Sequence, residues 1–323
     1  MALTAMTRAR TTPHRALLLV LLALTTHAMA TDDYSQKLDA LWNFGDPATS
    51  ETRFRAEAAR HPPISREALE ATTQIARALG LQKRFAETDR ALDAVQPKLA
   101  LAPARVRVRY LLERGRRDNS SGNASGAMRW FEQALAASAG DKLPDADFYR
   151  VDTLHMLAIA APPAERLAWH RKALTAASAS TEPRAQGWQA SLLNNYGWTL
   201  HDQGGYADAV DAWREALALR EAKGDVTTIR IARWTVARGL RSLGRLDEAY
   251  AIQKRLADEL QAANAPDGYV CEELAEIEAA RGNRGAAKPW AVKALALLGK
   301  DDDFRANEPA RLARLTELAA DNR

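Results

Sequence analysis

From Ala190 to Lys223 the chain reads ASLLNNYGWTLHDQGGYADAVDAWREALALREAK, and the order of large and small residues leaves few folds open. Leu193, Tyr196, Gly197 and Leu200 share one face of a first helix, and Tyr206, Ala209, Trp213 and Ala216 share one face of a second. Gly204-Gly205 lies between them, where a turn with positive φ costs glycine little. Small residues at 197, 209 and 216 let two backbones approach, and large ones at 193, 206 and 213 fill the remaining space. Composition points the same way. Alanine occurs 67 times in 323 residues, isoleucine and valine together 17 times (7 and 10). Strands need β-branched and aromatic residues, so sheet-based enzymes are disfavoured and helices expected throughout.

The pattern recurs. Downstream, Ala237, Leu240, Gly244, Leu246, Ala249 and Leu256 repeat it, as do Leu274, Ala275, Gly282, Ala287, Ala291 and Ala294. Upstream copies are weaker: residues 104–117 with Ala127, Phe131 and Ala134; 146–159 with Trp169, Ala173 and Leu174; 65–79 with Phe85 and Leu92; and 34–42 with 48–59. Arg166 and Thr88 stand where small residues are expected. Asn307 is expected to cap a last helix over 308–320, with Pro309 in its first turn.

The large-x2-large-Gly, Gly-turn and Ala-x3-aromatic-x2-Ala pattern of 190–223 resembles the tetratricopeptide repeat. The resemblance implies an all-α fold: a right-handed α-solenoid of about seven helix hairpins with a C-terminal capping helix. The expected segments are a leader (1–30), degenerate hairpins (31–185), clear repeats (186–300) and the cap (301–323).

Residues 1–30 read as a cleavable secretory signal: Arg8, Arg10 and Arg15, then the apolar run ALLLVLLAL (16–24), then Ala28-Met29-Ala30. The run is too short for a spanning helix of about 20 residues. Export, to a bacterial periplasm, is the expectation. Removing three arginines and no acid takes the formal charge from +4 to +1. Six arginines between 104 and 117 face only Glu113 and read as a solvated helix face, since a nearly neutral exported chain gives nucleic-acid binding little support. Cys271 stands alone, so no intrachain disulfide forms; it reads as a small half-buried helix residue, an intermolecular bond being the alternative.

Catalytic constellations are absent from the sequence: there is no H-E-x-x-H, G-x-S-x-G, P-loop or C-x-x-C. Beyond residue 30 the histidines are His61, His155, His170 and His201. His201 has Asp202 beside it, but adjacent helix residues diverge, so no metal or cofactor is expected. Asp141, Asp145 and Asp147 lack the glycine and glutamate of an EF-hand loop, and one of them is expected to cap the following helix. A non-enzyme is expected.

In tetratricopeptide arrays the first helix of each pair lines the concave face. Carried to this chain, that places Asn194, Trp198 and His201 on one stripe, Trp234, Arg238 and Arg241 on the next, and Tyr269, Glu272 and Glu276 on a third, with Asn195 and Arg230 alongside. Tryptophan and arginine are enriched at binding hot spots. Two readings stand for Trp198 and Trp234: a groove that holds a protein or peptide segment, or burial against neighbouring helices with Arg238 paired to Glu272 or Glu276. Trp130, Trp169, Trp213 and Trp290 are expected in the core. The functional expectation is an exported scaffold binding a protein partner in that groove; the alternative is a self-assembling envelope protein using its convex or end surfaces.

Overall fold

Small-large alternation at helical spacing produces helices alone. The computed structural model describes residues 34–139, 143 and 145–320, and among these there is no strand. The expected leader and Asp141 lie outside the described residues. The chain divides into two compact units, Met1–Thr153 and Leu154–Arg323.

The first unit holds α1 (34–40), α2 (Pro47–Ala58), α3 (Arg66–Leu81), α4 (Phe85–Val95), a 3-10 turn at Gln96–Lys98, α5 (Ala104–Ser120), α6 (Ala124–Ser138) and the start of α7 (Ala146–Ala160). Helix α2 packs on α3, α3 on α4 and α5, and α5 on α6, the adjacency of stacked hairpins. Asp46, Ser65 and Asn123 cap α2, α3 and α6 by accepting from the Thr49, Ala68 and Gly126 amides. Tyr34, Leu38, Phe54, Ile75 and Leu79 form its first core cluster.

The arginine run on α5 is not a solvated face. Arg105 and Arg109 are 2% and 4% exposed, and only Arg107 of the six is open to solvent. Positions 105, 109 and 116 fall within about 40° of one another around a helix, so they form one inward stripe. Arg105 pairs with Asp145 at 3.1 Å, Arg109 donates to the Tyr149 hydroxyl at 2.6 Å, and Arg116 is held by Asp152 and Glu113. Arg114 and Arg117, on the flank, both reach Asp89. Apart from Glu113, the groups that neutralise the stripe come from outside α5, which is why α5 read alone suggested solvent. Glu70, fully buried with Arg66 and Arg105 each 3.8 Å away, has its carboxyl pushed up by burial.

The second unit continues α7 and adds α8 (Pro163–Ala179), α9 (Pro183–Gln186), α10 (Gln189–Asp202), α11 (Tyr206–Lys223), α12 (Val226–Ser242), α13 (Leu246–Ala262), α14 (Gly268–Ala280), α15 (Arg284–Leu298), α16 (Asp302–Asn307) and α17 (Pro309–Ala319). Each helix from α10 to α15 packs on the next. Gly204, Gly224, Gly244 and Gly282 take φ of 73–82° at the helix ends, the left-handed turn expected of glycine there.

The core of this unit is built around one indole. Trp213 of α11 is 1% exposed and donates from Nε1 to the Asn194 carbonyl at 3.0 Å. A Cβ on Gly197 of α10 would lie 2.3 Å from Trp213 Nε1, and one on Gly239 of α12 would lie 2.8 Å from Cζ3 of the same ring. The ring therefore sits between two side-chain-free positions on successive first helices. Unit one repeats half of the device: a Cβ on Gly115 of α5 would lie 2.3 Å from Phe131 of α6.

Four expectations need correction. Of the four second-helix tryptophans only Trp213 is buried. Trp130, Trp169 and Trp290 are half-buried, with Lys172 4.0 Å over the Trp169 ring and Lys293 4.7 Å over Trp290. Tyr206 is 36% exposed and leans on His201 rather than filling the helix gap. Asn307 ends α16, donating to the Asp303 carbonyl, while Glu308 precedes α17. Cys271 is 6% exposed and burial pushes its thiol up, so it is a core residue.

Gly197→Ala gains about 1 kcal/mol of helix propensity but forces the indole out of place, an overpacking cost of roughly 1–3 kcal/mol or more. Net destabilisation is expected in urea unfolding of the variant, whereas Gly285→Ala, whose Cβ meets open space, is expected to be neutral or stabilising.

Candidate interaction surface

The inner stripe of the second unit is assembled by α10, α12 and α14, each the first helix of a hairpin. The structure brings most of the sequence-predicted residues together, and divides them into two sets.

The larger set is spent on holding successive helices to one another. Asn195 on α10 donates to His155 Nε2 at 2.7 Å, and Asn194 to Asn195 at 3.2 Å. Trp198 packs edge-on against Trp213, with ring centroids 4.9 Å apart, and lies 6.3 Å from Trp234. It belongs to the partly buried margin of the Trp213 core cluster. His201 reaches across to the Ser242 hydroxyl on α12 at 2.8 Å; burial, with Arg238 beside it, holds its pKa below the ordinary histidine range. Arg238 and Arg241 both converge on Glu273 of α14, which is 1% exposed. Glu272 and Glu276 face onward to α17, receiving Arg311 at 2.8 Å and Arg314 at 3.1 Å. Arg238 therefore pairs with neither Glu272 nor Glu276. Trp234 and Tyr269 correspond at a spacing of 35 residues, through a bond from Trp234 Nε1 to the Tyr269 carbonyl of 3.1 Å. The same spacing carries Arg238 to Glu273, whereas the residues alone suggest Glu272 or Glu276 as its partner, the third stripe being placed three residues too far along. The glutamate ends are largely buried and the arginine ends part-exposed, so solvent screens these pairs in part, and they act as cross-links from α12 to α14 and from α14 to α17.

The smaller set, Arg230, Trp234 and Tyr269, opens onto a cavity of about 450 Å³. Ile231, Leu256, Leu260 and Val270 complete its apolar wall, with Thr227 and Asp267 at the rim. The volume is within the roughly 300–1,000 Å³ usual for ligand sites. Ile231 is 52% and Tyr269 40% exposed, and Val226 at the start of α12 is 57% exposed. Asp267 is committed as the cap of α14, accepting from the Tyr269 and Val270 amides at 2.7 and 3.2 Å. Leu256 and Leu260 come from α13, a second helix, and escape any reading confined to first helices. Ile231, exposed and one position beyond Arg230, was the available signal.

Comparison with known proteins places this geometry. The tetratricopeptide-repeat model matches residues 189–223, the hairpin α10–α11 that carries Gly197 and Trp213. This hairpin is a tetratricopeptide repeat. The fold around it is shared with solved tetratricopeptide-type structures. The apo form of RapI is 11% identical with a TM-score of 0.66, over 92% of this chain and 85% of that one. A Rap protein complexed with Competence and Sporulation Factor is 13% identical with a TM-score of 0.58, over 89% and 84%. PilW, a type IV pilus biogenesis factor, is 17% identical with a TM-score of 0.54, over 75% and 99%. At these identities the likeness concerns the fold. No curated protein matches the chain in sequence. No described helix is long and apolar enough to cross a membrane, and among the described residues no three His, Cys, Asp or Glu side chains are grouped to hold a metal ion.

Behind the repeat, His170 of α8 is 2% exposed. Its Nε2 meets the Thr199 hydroxyl at 3.0 Å, and its Nδ1 has no hydrogen-bond partner among the described residues. Burial, then the neighbouring His155 and Arg166, push its pKa down to about 4 from 6.5. Because the folded value lies below the unfolded one, the unfolded chain takes up the proton first as pH falls. Stability contributed by neutral His170 is therefore complete above pH 6.5 and lost on descent to about pH 4, a fall on the order of 2–3 kcal/mol. His201 adds to the fall in the same direction. Chemical denaturation at pH 7.5 and 4.8 should show a smaller difference for His170→Gln than for the parent chain.

Proposed function

We propose that this chain is a non-enzymatic scaffold that binds a protein partner on its second unit, at the open part of the stripe formed by α12 and α14. The observation that carries the reading is the cavity walled by Ile231, Trp234, Leu256, Leu260 and Val270, with Ile231 and Tyr269 exposed beside it. An apolar surface of this kind gains nothing in an isolated monomer and is commonly an interaction site. The polar remainder of the predicted groove is internally paired, so Arg238, Arg241, Glu272 and Glu276 serve as framework for the surface and Trp198 as packing. The similar Rap protein complexed with Competence and Sporulation Factor supports the view that this kind of fold accommodates a bound factor. A stack of helices fixed by buried ion pairs also holds its anchors in place before binding, which lowers the entropic cost of association.

The test is affinity capture with the chain from residue 31 onward as bait. Ile231→Asp places a charge on a half-exposed site without disturbing the core, so its unfolding midpoint should match the parent. A partner recovered on the parent and reduced at least about tenfold on the variant, the weight of one hot-spot residue, is the expected result. Equal recovery on both refutes this surface. Trp198→Ala is a poor probe, since it loosens the packing on Trp213.

Export is part of the proposal, on the strength of the residues 8–30 pattern. Expression of the full chain in a bacterium should give a periplasmic product whose first residue is Thr31; a cytoplasmic product retaining Met1 refutes it.

A further inference from the structure

Helix α12 carries four arginines along its inner and lateral faces, and three of them are spent. Arg233 pairs with Glu221 and Glu259, both at 3.3 Å, and Arg238 and Arg241 share Glu273. Arg230 makes no ion pair among the described residues, and its Nε is buried without a hydrogen-bond partner. It stands at the rim of the 450 Å³ cavity. The acid nearest in the lining, Asp267, is already bonded to two amides of the α14 N-terminus. The mouth of the cavity thus joins an apolar wall to one uncompensated guanidinium.

Resting on the reading that this surface binds a protein, we propose that its ligand is a polypeptide segment with an apolar side chain and a carboxylate within two residues of each other. The apolar side chain enters the cavity against Trp234, Leu256, Leu260 and Val270. The carboxylate, from Asp, Glu or a chain terminus, lies on Arg230, whose planar fork of donors matches carboxylate geometry. It supplies the acceptor that Arg230 lacks, and a cation at the rim disfavours basic segments. Ile231 and Tyr269 in the lining are exposed, and so is Val226 one turn before Arg230 on α12, so contact extends along a chain beyond the pocket. That favours an extended segment over a single small amphiphile.

The test uses the full chain and a display library of random dodecapeptides. Selected peptides are expected to share an aromatic or branched aliphatic residue followed or preceded within two positions by Asp, Glu or the C-terminus. Replacing that acid by its amide should weaken binding at least about tenfold in anisotropy titrations. Arg230→Gln should bind both forms alike while retaining the apolar preference, and Ile231→Asp should recover no motif. Peptides without an acid, or an acid preference that survives Arg230→Gln, overturn the ligand chemistry while leaving the surface itself intact. A motif unaffected by Ile231→Asp removes the surface as well. Displacement of the peptide by decanoate at lower concentration than by the unlabelled peptide overturns the proposal in favour of a lipid. Dimers in sedimentation velocity that Ile231→Asp dissociates overturn it in favour of a second copy.

Discussion

The seating of Trp213 between Gly197 and Gly239 is the contact on which the second unit depends. It brings α10, α11 and α12 within touching distance at one point and sets the spacing between two successive first helices. That spacing decides what the remaining inner residues are able to do. At this separation His201 on α10 reaches Ser242 on α12, and one step further along the stack two arginines on α12 reach one glutamate on α14. A wider stack would leave those groups to solvent; a tighter one would have no room for the ring.

How much of this was readable in the residues depends on how local the cause is. The hairpins were legible because period, glycine turns and small-large alternation are properties of one helix and its immediate successor. Gly197 and Trp213 were legible together, being 16 positions apart in one repeat. Burial of the α5 arginines was not, because all their partners but Glu113 come from elsewhere in the chain, among them Glu70 on α3, Asp89 on α4, Asp145 and Asp152, and a helix read alone shows a charged stripe without showing what faces it. The pairing of Arg238 with Glu273 was legible in principle from the 35-residue offset that also links Trp234 to Tyr269, yet three acids in five positions (272, 273 and 276) let the third stripe be set three residues out of register. The cavity was half legible. Arg230, Trp234 and Tyr269 were among the predicted residues, while Leu256 appeared only as part of the repeat pattern, and Ile231, Leu260 and Val270 were not singled out.

The same logic separates what a tryptophan on the inner stripe means. Trp198 and Trp234 occupy corresponding positions and look alike in sequence. Trp198 lies on Trp213 and is consumed by the core. Trp234 is one step further from that ring, ties its indole N–H to the Tyr269 carbonyl, and presents a face to the cavity. Identical register therefore gives packing in one repeat and a cavity wall in the next, and the difference lies in the second-helix neighbour.

Helix α14 is an acidic element held between two basic ones: Glu273 faces back to α12, Glu272 and Glu276 face on to α17. The arginines that answer Glu272 and Glu276 sit at 311 and 314 on α17, whose Leu315 and Leu318 share one apolar cluster with Ala275 of α14 and Leu298 of α15. Lifting α17 off the stack would therefore open an apolar face and strip two carboxylates of their counter-charges in the same movement. One helix thus closes the hairpin α14–α15 twice over, once by exclusion of water and once by charge.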